Sequence, residues 1–320
     1  MPRFFDLRST PTDVVLRAVA IGNVVYNHSD PGDLGGGTAS LVMLSGLNFA
    51  RFAIKDGTES GIRGSIAGVA RQIFFPSLAL IILSFVAYQR FDWLELLFVR
   101  PHPHKISAFP VWFSHIMIQL LAAFYLLFSI PAVARATLRH PARAMLVFFC
   151  VSAFLRSIAG YGLFDALLRM PWNFFLGAVV YFLALDAGTS NRGTRWLAAA
   201  CVVVGAMISF APTNPRLWWV IAGGLVLVFV RSIPLPQLLA RITTVVGAAT
   251  FGIFLTHVIW IKVGRRFTEM WLGPQSTVQT MILFAFALLL GTLTWAALEA
   301  FGRAYRAVKS DPARPALAVI

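Results

Sequence analysis

The sequence predicts an all-α, polytopic integral membrane protein, and three observations carry that prediction. Of 320 residues, 58% are hydrophobic and 12% charged, against about 25% charged in a typical soluble domain; mean hydropathy is +0.75. Ten apolar runs recur along the chain, most approaching the ~20 residues with which a helix crosses a bilayer. They cover 14–28, 38–54, 66–87, 108–130, 144–160, 172–187, 196–211, 217–233, 243–263 and 277–300. The 27 Lys and Arg residues divide unevenly among the connecting segments. With the N-terminus inside, eighteen fall on inner segments and nine on outer ones, so the positive-inside rule predicts an N-in, C-in topology.

The elements follow in order. The first run lacks a small-residue cleavage site and ends in NHSDPGDLGGG, 27–37, so it reads as a retained helix rather than a signal peptide. That glycine-rich stretch is a turn, not a phosphate loop, because no Lys-Ser/Thr follows it. FDWLELLFV, 91–99, is too short to cross and is expected at the interface. PHPHK, 101–105, offers His102 and His104 without an obvious third ligand, so a Pro-rich turn is expected there and no metal. The run 172–187 is short enough to be tilted or partly buried. Cys150 and Cys201 lie inside apolar runs and read as small buried hydrophobes. Residues 1–300 are expected to form one transmembrane domain, and 301–320 a basic, Pro/Ala-rich cytoplasmic tail. The formal charge of +14 fits cytoplasmic loops against anionic headgroups of the lipid bilayer. No Lys/Arg-rich arm with interleaved aromatics appears, which speaks against nucleic acid.

Within LRAVAIGNVVYNHSD, 16–30, Arg17 and His28 interrupt the apolar run. Eleven helical residues turn through about 1100° and rise about 16 Å, so both side chains share one face half a bilayer apart. A snorkelling Arg and an interfacial His before a loop account for the spacing alone. An intramembrane cation and imidazole with a chemical task account for it as well.

Six segments in order resemble the acyltransferase-3 family of integral membrane acyltransferases. LRAVAIGNVVYNHS, 16–29, looks like the family's first-helix signature of an Arg followed eleven residues later by His. LVMLSGLNFARF, 41–52, is similar to its second-helix FFxLSGFL segment. RQIFFPSLALI, 71–81, resembles its Arg-rich opening of the third helix, and FPVWFSHIMIQLLAAFYLLF, 109–128, its Trp-Phe pair. TFGIFLTHVIW, 250–260, is close to SYGIYLxH, and LEAFGR, 298–303, stands where a last-helix Glu is usual. Three features depart from the pattern: only Arg71 directly precedes Pro76, with Arg63 farther upstream; Asn48 replaces an aromatic; and no Glu aligns with the one some members carry after the Trp, where His115 and Gln119 are the polar residues.

The resemblance implies transfer of an acyl group, often acetyl, from cytoplasmic acyl-CoA to a hydroxyl of a glycan or glycolipid, in a bacterial cytoplasmic (inner) membrane. An imidazole near pKa 6.5 suits the proton transfer, making His28 the expected general base. Arg17, Arg71 and Arg63 are expected to engage the CoA phosphates. Asn27, Ser45 and Asn48 are the expected polar donors around the acceptor and the oxyanion. Trp112, His115 and His257 are expected to shape the acceptor cavity, with an aromatic belt and a structural His as the plainer readings of Trp112 and His257. Glu299 is expected to pair with an Arg. A glycan or lipid transporter is the alternative from another class, weakened by the absence of paired broken helices; a non-catalytic membrane subunit is a further one.

Overall fold

A computed structural model describes residues 7–30, 35–88, 93–98, 112–158, 170–272 and 276–309. The described residues are almost entirely helical. Its elements are β1 (Leu7–Pro11), α1 (Thr12–Ser29), α2 (Gly37–Phe49) continued by the π-helical turn π1 (Ala50–Ile54), α3 (Glu59–Tyr88), the short α4 (Trp93–Leu96), α5 (Trp112–Ser129), α6 (Pro131–Arg139), α7 (Pro141–Ile158), α8 (Pro171–Val180) continued by π2 (Tyr181–Leu185), α9 (Arg192–Ser209), α10 (Pro215–Phe229), β2 (Ser232–Pro236), α11 (Gln237–Ala248), α12 (Thr250–Leu272) and α13 (Thr277–Lys309).

Among the described residues, four helical stretches are long and apolar enough to cross a membrane: Gly37–Ile54, Glu59–Val86, Pro141–Ile158 and Thr277–Arg303. The number rises to six if each sharply bent pair is one span. Large apolar side chains face outward from them, among them Phe75 and Val86 on α3, Val151 and Phe154 on α7, and Leu289 and Leu293 on α13. Outward apolar faces on this scale suit lipid rather than water.

Two of the ten expected runs differ in form. The ninth, 243–263, is broken at Ala249, where α11 and α12 meet at 82°. The fourth is followed by α6 at 91° to α5, where a loop was expected. Pro131 opens α6 and lacks the N–H that would have continued α5. The last helix continues to Lys309, so part of the expected tail is helix. The segment 101–105 and residues 310–320 lie outside the described residues.

The α2–α8 pair forms the centre. Every residue of α8 is buried, as expected of a helix apolar on all sides. The two backbones touch because each helix offers a glycine at the crossing: a Cβ on Gly46 would stand 1.7 Å from the Phe174 carbonyl oxygen, and one on Gly177 1.8 Å from that of Met43. α1 packs on α2 and is flanked by α11, α12 and α13. β1 and β2 pair antiparallel, from Leu7 opposite Pro236 to Pro11 opposite Ser232, which ties the start of α1 to the α10–α11 connection.

Candidate functional site

α1 begins after Pro11, and its first turn carries Asp13, whose carboxylate accepts a hydrogen bond from Arg51 Nη1 at 3.0 Å. Arg17 follows one turn later, half-buried. It makes no hydrogen bond or ion pair among the described residues. Ile21, Val24 and Val25 then fill the interior, and His28 stands exposed in the last turn. The helix end is closed by the Asp30 N–H donating to Tyr26 O at 2.9 Å and by Ser29 Oγ donating to Val25 O at 3.0 Å. Buried neighbours between Arg17 and His28 show that this part of the helix faces protein.

The partner of His28 comes from the other end of the chain. The His257 ring, on α12, lies 5.0 Å from the His28 ring, centroid to centroid, tilted 53°. His257 is fully buried. Its Nδ1 is 2.7 Å from Phe254 O and 3.2 Å from Ile253 O. Carbonyl oxygens only accept, so Nδ1 carries the proton and Nε2 is left as the acceptor. That Nε2 is buried without a hydrogen-bond partner among the described residues. Phe254 stands beside His257 at 5.6 Å, and Phe113 of α5 meets Phe254 at 4.5 Å.

The other expected site residues fall in three places. Asn27 donates to Asn23 Oδ1 at 3.4 Å, and the same oxygen accepts the Gly37 N–H at 2.9 Å. This contact pairs residue 23 with 37, and the Asp13–Arg51 bridge pairs 13 with 51, so α1 and α2 run antiparallel. At 1.5 Å per residue, Ser45 and Asn48 therefore stand about 14–20 Å and about 18–24 Å from His28 along the axis, the lower figures reckoned from the 13–51 contact and the higher from the 23–37 contact, nearer the inner end with Arg17 than beside His28. The expectation that they donate to an oxyanion beside His28 is corrected on that ground. The Ser45 hydroxyl donates to Leu41 O at 2.9 Å, and Asn48 is half-buried.

Arg63 is half-buried and Arg71 exposed on α3, which packs chiefly on α5; no hydrogen bond joins either to Arg17. Among the described residues, Arg51 lies within a turn of Arg17 through its bond to Asp13, and Lys55, about a turn farther inward, is bridged to Asp186 at 2.9 Å. These sit on and just after π1, and their four-residue spacing at the end of an apolar run was the sequence signal for them. The buried His115 meets Phe98 edge-on at 5.0 Å, beside Gln119, whose amide donates to Phe98 O at 2.7 Å. It thus belongs to the α3–α4–α5 contact, whereas its neighbour Phe113 reaches the histidine pair through Phe254. The expectation for the Trp112 side chain lies outside the described residues. Glu299 is exposed and forms no ion pair among the described residues, against expectation.

Among the described residues no group of three or more His, Cys, Asp or Glu side chains converges. A nearly apolar cavity of about 130 Å³ opens between α1, α2 and α10, lined by Leu16, Ala20, Met43, Leu44 and Trp219 among others. It lies on a different side of α1 from Arg17 and His28 and belongs to neither. No protein-family model matches the chain, and neither a curated protein nor a solved structure does.

Proposed function

We propose that the chain is a membrane-embedded O-acyltransferase, moving an acyl group, acetyl in the first instance, from cytoplasmic acyl-CoA to a hydroxyl of a glycan or glycolipid. The observation that carries this reading is the meeting of His28 and His257, 5.0 Å apart across two helices distant in sequence, with Arg17 about 16 Å inward on the same face of α1. A thioester is already activated, so the transfer needs a base for the acceptor hydroxyl, and His28 takes that role. The guanidinium of Arg17, which makes no hydrogen bond or ion pair among the described residues, binds donor phosphate at the inner end. In this reading the ten apolar runs span or line the bilayer with both termini inside, in a bacterial cytoplasmic membrane.

The two sharply bent helix pairs, at 91° and 82°, favour a second reading, a glycan or lipid transporter, since broken helices line substrate paths in that class. Purified protein separates the two. The acyltransferase binds acetyl-CoA saturably and releases CoA thiol when an acceptor is present; a transporter does neither. Absence of acyl-CoA binding to folded protein overturns the proposal.

A further inference from the structure

His257 has one ring nitrogen committed and the other unmet. Its Nδ1–H is shared between Phe254 O and Ile253 O, so the lone pair of the neutral ring sits on Nε2. That atom is buried and has no hydrogen-bond partner among the described residues. Groups of this kind are rare in folded proteins and call for an explanation. Phe254 on one side offers no donor. The neighbouring polar ring is His28, at 5.0 Å between centroids. Two imidazoles joined by an N–H···N bond of about 2.9 Å have centroids about 5 Å apart, so the separation is already that of a bonded pair. His28, exposed at the helix end, has only to turn its ring so that an N–H faces this nitrogen.

We infer that His257 is the positioning partner of His28: its buried Nε2 accepts one ring N–H of His28 and so keeps the other ring nitrogen of His28 as a lone pair facing the acceptor hydroxyl. This rests on the reading of His28 as the base. An unpartnered imidazole divides between two tautomers and many orientations; a fixed acceptor on one nitrogen removes both uncertainties. During transfer the hydroxyl proton passes to the free nitrogen of His28 while the new C–O bond forms at the thioester carbonyl. The tetrahedral oxyanion then collapses with cleavage of the C–S bond, and His28 returns the proton to the departing thiolate. His257 stays neutral throughout, its Nδ1–H held by the two carbonyls.

The test uses full-length protein in nanodiscs with acetyl-CoA as donor, and the variants His257→Leu and His257→Gln. Glutamine retains an N–H for the carbonyls and an oxygen acceptor for His28; leucine retains neither. The expected loss of turnover in His257→Leu is roughly tenfold to a hundredfold, short of the ~10⁴-fold lost where a carboxylate orienter is removed. The KM for acetyl-CoA stays within about twofold, and His257→Gln recovers activity to within about fivefold of wild type. Nitrogen-15 NMR of histidine-labelled protein gives a readout independent of turnover: His28 is a single tautomer in wild type and a mixture in His257→Leu. Equal loss in both variants, or a His28 tautomer unchanged by His257→Leu, overturns the inference. If His257→Leu does not fold, the wild-type spectrum decides: a mixed His28 or an unprotonated His257 Nδ1 overturns it. Retained acylation in His28→Ala removes the base assignment instead, and the NMR result then stands or falls by itself.

Discussion

Replacing Gly46 by alanine tests the contact on which the interior is built. The new methyl would lie 1.7 Å from the Phe174 carbonyl oxygen, and that oxygen belongs to backbone, so no side chain can swing aside. Even a tight 3.0 Å contact requires α2 and α8 to separate by 1.3 Å at their crossing. Overpacking of cores costs about 1–3 kcal/mol where side chains absorb it, and a backbone clash belongs at or above the top of that range. Gly68 on α3 is the internal control, because a Cβ there meets nothing within 4 Å. Alanine at such a helical position gains about 0.5–1 kcal/mol over glycine. Thermal unfolding in one detergent, followed by circular dichroism, should therefore lower the Tm of Gly46→Ala by several degrees and leave Gly68→Ala at or above wild type. Because Gly177 closes the same crossing from the other helix, the double variant should lose less than the sum of the two singles. If Gly46→Ala melts together with Gly68→Ala, the close α2–α8 approach is refuted.

Other expectations follow from single contacts. Asn23→Ala removes the acceptor of the buried Gly37 N–H and should cost about 1–3 kcal/mol, visible as faster hydrogen exchange at the start of α2. Asp13→Ala leaves Arg51 unpaired, but that side chain is 32% exposed, so the expected cost is about 1 kcal/mol rather than that of a fully buried pair. Its Tm difference from wild type should shrink in high salt. The Lys55 ammonium is held above its ordinary value of 10.5, first by its hydrogen bond to Asp186 and also by the negative charge of that carboxylate. A raised folded-state value means that the stabilisation is complete below the unfolded lysine range and disappears as pH climbs through the raised one. The Tm advantage of wild type over Lys55→Gln should thus be constant at neutral pH and vanish only in strong alkali; an advantage that vanishes near neutrality contradicts the assignment.

The helices were legible because their apolar runs dominate the sequence, and each expected run contains helix. The bend at Ala249 was not, since VVGAATFGIF stays apolar through the corner and periodicity is blind to direction. The β1–β2 pairing escaped too: it joins Leu7–Pro11 to Ser232–Pro236, and neither strand is long enough to show alternation. Arg17 and His28 were visible as charges in an apolar run. Ser45 and Asn48 were misjudged because spacing within one helix says nothing of the depth at which its antiparallel neighbour presents a residue. The His28–His257 meeting depends on α1 packing against α12, a contact more than 200 residues apart that one sequence does not encode locally.

The most direct measurement is acylation of envelope glycans, read by mass spectrometry, in cells that express His28→Ala at normal membrane levels. Loss of the acyl group, with the wild-type chain restoring it, is the predicted result. Acylation at the wild-type level with His28→Ala contradicts the account at its centre.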